Sequence, residues 1–217
     1  MAMTLAALLV LYALIPSGFS ISCIKCIDLR GNYCSGETVT CPSGYSCATA
    51  LTESTLTSPG VTGMSIFARG CVPNNQCEKT GSVTSTDANV RTATLCCDYD
   101  NCETRVPTLP EPSFVPNGLT CSSCSTISSD DCRPSSTLQC TGSETKCGRL
   151  SSSIGGHLSS FLGCATPSVC DLLGNQQTTF ASGVGVRLRT TCTNGGFYHH
   201  GSFYLSPLIF LLLKVLL

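Results

Sequence analysis

The stretch Cys96-Cys97-Asp98-Tyr99-Asp100-Asn101-Cys102 is the most informative part of the sequence, because it places three cysteines within seven residues. It completes a first series whose earlier members are Cys23, Cys26, Cys34, Cys41, Cys47, Cys71 and Cys77. A second series consists of Cys121, Cys124, Cys132, Cys140, Cys147, Cys164, Cys170 and Cys192. Its spacings of 2, 7, 7, 6, 16, 5 and 21 residues follow the 2, 7, 6, 5, 23, 5 and 18 of the first series. Two domains with one shared scaffold are therefore predicted.

The two series hold ten and eight cysteines, so each can form disulfides internally without a spare thiol. This density is typical of small extracellular domains whose hydrophobic cores are too small to fold alone. The formal net charge of −1 provides no basic face for nucleic acid and no polybasic patch for a membrane surface. Nucleic-acid binding is therefore not expected.

The first twenty residues resemble a secretory signal peptide. An apolar run extends from Leu5 to Ile15, and the segment that follows it up to Ser20 has small residues at the positions that signal peptidase recognises. Residues 1–20 are therefore assigned to the signal peptide, with cleavage placed after Ser20, which puts the mature chain in an oxidising compartment.

The last residues have the pattern of a glycosylphosphatidylinositol (GPI) attachment signal. Asn194, Gly195 and Gly196 are small, a polar spacer follows, and residues 203–217 are almost wholly apolar. We expect the anchor on Asn194 and removal of residues 195–217. The alternative is a short membrane helix retained in the mature protein, although fifteen residues are few for a span.

A proline-rich connector at 105–118 is expected to be an extended, semi-rigid spacer between domains 21–104 and 119–194. Strand-like segments at 37–41, 45–51, 63–71, 90–96, 137–140, 146–151 and 184–192 lie between clusters of turn-forming residues. No stretch has a convincing helical period. The predicted class is all-β.

The cysteine pattern, with its opening Cys-x-x-Cys and its closing Cys96 to Cys102 segment, resembles the three-finger domains of the urokinase-receptor and lymphocyte-antigen-six family. The resemblance covers essentially the whole mature chain and implies two tandem three-finger domains. Two features depart from the family pattern. Glu103 follows Cys102 where the family usually has Asn, and the second domain lacks the adjacent cysteine pair.

The resemblance also implies a pairing of the cysteines, which spacing alone does not fix. In the first domain the implied pairs are Cys23 with Cys47, Cys26 with Cys34, Cys41 with Cys71, Cys77 with Cys96 and Cys97 with Cys102. In the second they are Cys121 with Cys147, Cys124 with Cys132, Cys140 with Cys164 and Cys170 with Cys192.

The sequence offers little for catalysis or for metal binding. His157 is the only histidine outside the discarded tail, and it is interpreted as an exposed loop residue. Asp130 and Asp131, and the pair Asp98 and Asp100, are interpreted as solvated turn residues. The cysteines are interpreted as structural disulfides, because zinc would need reduced thiolates. We therefore expect no enzyme activity, no cofactor and no metal.

Recognition is expected on the finger loops, since exposed loops on a rigid scaffold commonly carry binding. The longest segment between cysteines in the first domain is 48–70, with a tip at Ser58-Pro59-Gly60. Its apolar residues are Leu56, Val61, Met64, Ile66 and Phe67. A GPI-anchored surface receptor or adhesion protein that binds an extracellular protein, through the fingers or the groove between the domains, is the first hypothesis. A secreted inhibitor similar to two-domain serum phospholipase inhibitors is the alternative.

Overall fold

The computed structural model describes residues 20–56, 63–172, 175–179 and 184–194. Their fold is all-β and rich in disulfides, as predicted. The first domain contains β1 (Ser22–Asp28), β2 (Glu37–Thr40), β3 (Tyr45–Leu56), β4 (Met64–Pro73), a 3-10 turn (Asn74–Gln76), β5 (Thr80–Thr84) and β6 (Ala88–Cys97). The second contains β7 (Pro116–Thr126), β8 (Ser136–Thr141), β9 (Lys146–Ile154), β10 (His157–Ala165), a short helix α1 (Pro167–Leu172), β11 (Asn175–Thr179) and β12 (Gly185–Thr193). The predicted signal peptide up to residue 19 and the apolar tail from residue 195 lie outside the described residues.

The predicted strand segments correspond to β2, β3, β4, β6, β8, β9 and β12. The sequence does not predict β1, β5, β7, β10, β11 or the helix α1. Strands β7 and β10 contain few of the β-branched and aromatic residues that favour strands, and each contains a glycine, which disfavours them. These strands form because neighbouring strands and disulfides hold them in register.

Each domain is built around one long antiparallel strand with a partner on either side. In the first domain β3 lies between β4 and β6, and in the second β9 lies between β10 and β12. The strands of both domains continue into one another in the order β11-β12-β9-β10-β5-β6-β3-β4-β1-β2. Strand β7 pairs with β10 and with β8. The two repeats therefore share a continuous sheet.

Disulfides form the centre of each domain. Buried cysteines cluster at the base of the fingers, and these are Cys23, Cys41, Cys47 and Cys102 in the first domain and Cys121, Cys140, Cys147 and Cys164 in the second. Large apolar side chains are few at these two centres, so the covalent bridges replace much of the usual hydrophobic core.

The connector at 105–118 does not hold the domains apart. Pro107 is buried, and Leu109 packs on the cluster that includes Leu51 and Phe67. The carbonyl of Pro110 accepts a hydrogen bond from Arg91 Nη1 at 3.3 Å. The first half of the connector therefore lies against the first domain, and its end enters β7.

Candidate functional site

The two domains meet along β5 and β10. Thr84 is paired with Cys164, and Val83 with Ala165. Side chains from both domains form one buried apolar cluster, namely Val83, Ala88, Val90, Leu150, Phe161, Ala165 and Val169. Leu56, near the end of the second finger of the first domain, packs against this cluster. The domain interface is therefore a hydrophobic core that neither domain contains alone.

Hydroxyl groups surround the apolar cluster. Thr166 Oγ1 accepts a hydrogen bond from the Ser82 amide at 3.0 Å, and the Thr166 amide donates to the Ser82 carbonyl. On another part of the interface, Thr86 Oγ1 donates to Ser123 Oγ at 2.9 Å and lies 2.8 Å from Ser136 Oγ. These contacts fix the position of one domain on the other.

Glu144 is the buried carboxylate at this interface. It lies in the turn between β8 and β9 and is only 6% exposed. Its Oε1 accepts hydrogen bonds from Ser82 Oγ at 2.6 Å and from Thr84 Oγ1 at 2.7 Å, both on the other domain. Desolvation raises the pKa of Glu144, while the two hydroxyl donors oppose that rise. The pKa of a carboxyl group in the second domain therefore depends on hydroxyl groups of the first domain.

The same turn holds the end of the connector. The Gly142 amide donates to the carbonyl of Val115 at 2.9 Å. Asn117 Nδ2 donates to the carbonyls of Gly142 and Glu144 at 3.1 and 3.0 Å. One face of the turn therefore contacts the connector, and the Glu144 side chain contacts the first domain.

The connector presents an apolar pair to solvent directly beside this turn. Phe114 is 87% exposed and Val115 is 71% exposed, although the backbone of Val115 is held by Gly142. Pro116 restricts the backbone of Val115, the residue directly before it, to extended conformations, and Pro112 fixes its own φ two residues before Phe114. An exposed aromatic side chain on a restrained backbone can bind an apolar pocket with little loss of conformational entropy.

Sequence analysis did not single out Phe114 or Val115. Their position in the connector could have indicated a binding role. Phe114 is the only aromatic residue in this proline-rich segment, and a segment that serves only as an extended spacer does not need one. The apolar cluster at the domain interface gave no comparable signal, since its members are far apart in the sequence.

The structure contains each of the nine cysteine pairs that the resemblance implies, and no free cysteine remains among the described residues. Two triplets of sulfur atoms lie close enough to suggest a metal site, and they are Cys23, Cys41 and Cys71 and Cys121, Cys140 and Cys164. All six sulfurs belong to disulfides, so they offer no thiolate to an ion.

The other predicted site residues lie on the surface. His157 is exposed at the start of β10. Asp98 is exposed, and Asp100 Oδ1 accepts a hydrogen bond from the Ser22 amide at 2.8 Å. Asp130 is exposed, and Asp131, which is also exposed, forms an ion pair with an arginine of β9.

The second finger of the first domain is described only in part, because its predicted tip at 58–60 and Val61 lie outside the described residues. Phe67 is buried at 1% exposure, while Met64 is 43% exposed. Asn194, the predicted anchor residue, is exposed and accepts a hydrogen bond from Lys146. Within the described ranges, no helix is long and apolar enough to cross a membrane.

Glu103, one of the departures from the family pattern, has a structural role. Its carboxylate lies 2.9 Å from Nη1 of Arg69, which is 7% exposed. The Arg69 guanidinium also lies over the rings of Tyr33 and Phe67, at 5.1 and 5.5 Å. The ion pair therefore ties the segment just before the connector to the sheet of the first domain.

The cysteine framework and the repeated antiparallel sheet together define a disulfide-rich protein of two tandem three-finger domains. The sequence profile of the u-PAR/Ly-6 domain matches residues 20–105 and again residues 117–199, so the chain belongs to the u-PAR/Ly-6 family. Members of this family are extracellular, either secreted or GPI-anchored.

Two curated relatives are inhibitors. The chain is 31% identical over 165 residues to the phospholipase A2 inhibitor NAI of Notechis ater, which covers 73% of this chain and 80% of the relative. It is 27% identical over 183 residues to a gamma-type component of a phospholipase A2 inhibitor from Elaphe quadrivirgata, which covers 82% and 90%. The crystal structure of mouse TEX101 aligns with a TM-score of 0.35 at 15% identity, over 82% of this chain and 100% of that one.

Proposed function

We propose that this chain is an extracellular protein-binding protein whose contact surface is centred on Phe114 and Val115. The exposure of this apolar pair, at 87% and 71%, is the observation that carries the proposal. Solvent-exposed aromatic anchors commonly dominate binding energy at protein interfaces. This surface lies beside the turn between β8 and β9, close to the cysteine cluster at the base of the second domain's fingers.

A photo-crosslinking amino acid at position 115 tests the contact surface on living cells. We expect one extracellular protein to be captured from position 115, and not from position 127, where Ile127 is 56% exposed on a different loop. Capture of the same protein from both positions, or from position 127 alone, contradicts the proposal.

Inhibition of a secreted phospholipase A2 is a second candidate function. It is favoured by the two relatives, both of which are named as phospholipase A2 inhibitors. If it is correct, the chain binds a secreted phospholipase A2 and lowers its activity. Replacing Phe114 by Ser should weaken that binding at least about tenfold, the loss expected for a binding hot spot, whereas Ile127→Ser should leave it unchanged. Absence of binding to a panel of secreted phospholipases A2 excludes phospholipase inhibition, but it does not bear on the proposed contact surface at Phe114 and Val115.

We also propose that Asn194 carries a GPI anchor, which would make the protein a surface receptor or adhesion protein rather than a circulating one. The support is the sequence of small residues, polar spacer and apolar tail. Phosphatidylinositol-specific phospholipase C should release the protein from intact cells. Replacing Asn194, Gly195 and Gly196 by bulky residues should abolish surface display. A protein that resists the enzyme, and whose variant is still displayed, is held by a membrane helix instead.

A further inference from the structure

We propose that Glu144 is a proton-operated latch, in which protonation tightens the contact between the two domains and fixes the connector segment that presents Phe114 and Val115. The part of this inference that concerns ligand binding rests on the proposed function. The part that concerns the domain interface does not depend on it.

The geometry places one carboxylate at a junction of three parts of the molecule. The side chain of Glu144 reaches Ser82 and Thr84 of β5, while its backbone carbonyl accepts from Asn117 of the connector end. Thr84 Oγ1 also accepts from Asn89 Nδ2 at 2.7 Å, so its own proton is directed to Glu144. Movement of this side chain would therefore act on the interface and on the connector together.

The carboxylate has hydroxyl partners but no cationic partner among the described residues. Strands β5 and β8 carry no charged residue. On the neighbouring elements, Arg91 pairs with Glu53, Lys146 donates to Asn194, and Arg149 pairs with Asp131. Glu111 of the connector and Asp171 of α1 are exposed. Burial without a positive charge disfavours the ionised form, because two hydroxyl donors replace only part of the lost hydration.

The direction of the effect follows from proton linkage. The pKa of Glu144 is raised by desolvation above its ordinary value of 4.5. Between 4.5 and the raised pKa, the folded protein binds more protons than the unfolded chain. The contribution of Glu144 to the stability of the folded state is therefore fully present below pH 4.5, and it is lost as the pH rises through the raised pKa. Acidification should therefore stabilise the contact between the two domains, and a rise in pH through the raised pKa should weaken it.

Hydrogen exchange of the full-length chain, expressed through the secretory pathway, measures the latch without any ligand. The Gly142 and Thr166 amides report on it, because they bond to the connector and to β5 respectively. The Cys41 amide, which bonds to Ile21 in the first domain, is the internal reference. After correction for the chemical exchange rate, protection of the two reporters should rise as the pH falls through the raised pKa of Glu144 toward 4.5, by at most about tenfold per pH unit, the limit for one proton.

Three variants separate this mechanism from a purely structural role. Glu144→Gln should keep the reporters protected across the range and remove their pH dependence, whereas Glu111→Gln, the matched control, should behave as wild type. Ser82→Ala removes a donor to the charged form, so the pH dependence should move to higher pH. Wild-type pH dependence in Glu144→Gln overturns the proposal. If that variant does not fold, an unshifted profile in Ser82→Ala overturns it.

The photo-crosslinking assay at position 115 tests the coupling to ligand binding. The yield should rise on acidification in the wild-type background and stay constant in Glu144→Gln. A pH-independent yield in wild type overturns the coupling even if the exchange data support the latch. No crosslink at any pH, together with pH-dependent exchange, contradicts the proposed function and leaves the latch supported at the interface only.

Discussion

Gly163 and Gly81 allow the backbones of the two domains to approach one another. A Cβ atom on Gly163 would lie 1.9 Å from the carbonyl oxygen of Thr84, and one on Gly81 would lie 2.4 Å from Cγ2 of Val169. Neither distance is compatible with van der Waals packing, and the first contact involves rigid backbone. Glycine is required at position 163 because the partner strand occupies the space of a side chain.

Replacement of Gly163 by Ala should therefore separate β10 from β5. We expect a loss of about 1–3 kcal/mol in the free energy of unfolding, as is usual for overpacking. Gly70→Ala is the matched control, because it also lies in a strand and its Cβ would meet nothing within 4 Å. Chemical denaturation measures both variants. Equal stability of the two would show that the interface accommodates the methyl group.

Strands β5 and β10 are the elements that convert two repeats into one sheet. Each belongs to its own domain by sequence, yet their short pairing brings together the apolar cluster around Val83 and Phe161. No disulfide crosses the boundary among the described residues. Apart from the connector, the domains are therefore joined only by noncovalent contacts, which include the shared hydrophobic core.

Cleavage of the connector gives a test at the level of these elements. A protease site inserted in the exposed segment 111–114 should allow cutting without loss of the domain contact. We expect the two fragments to elute together in native size exclusion and to separate in denaturant without reductant, since only noncovalent contacts join them. Separation in native buffer would show that the domains behave as independent modules. Fragments that stay joined in denaturant would indicate a disulfide between the domains.

For the whole molecule, stability depends on nine covalent bridges and one shared interface. The chain has no tryptophan and few aromatics, so the area available for burial is limited. Disulfides compensate by reducing the conformational freedom of the unfolded chain. In the chain-entropy model, each bridge that closes a loop of 19 to 30 residues stabilises the folded state by about 3 kcal/mol.

The redox state of the whole chain is therefore predicted to be fully oxidised. Reduction should add eighteen hydrogens to the intact mass, two for each bridge, because all eighteen cysteines are paired. Alkylation before reduction should add nothing. A single alkylated cysteine in the native protein would contradict the pairing scheme and would place a reactive thiol on the molecule.

The cysteine spacing by itself predicted the two repeats and carried the resemblance to the u-PAR/Ly-6 family, and the strand-like segments predicted the all-β class. Local patterns also predicted strands with clear β-forming residues, such as β4 and β6, but not β10, in which Phe161 is the only aromatic or β-branched residue. Only the tertiary structure decided how the domains meet. The residues concerned, Gly163, Glu144 and Val83, are inconspicuous in the sequence, and the pairing of β5 with β10 brings them together across some sixty to eighty intervening residues. Exposure of Phe114 was decided in the same way, since a connector residue is free for a ligand only if neither domain covers it.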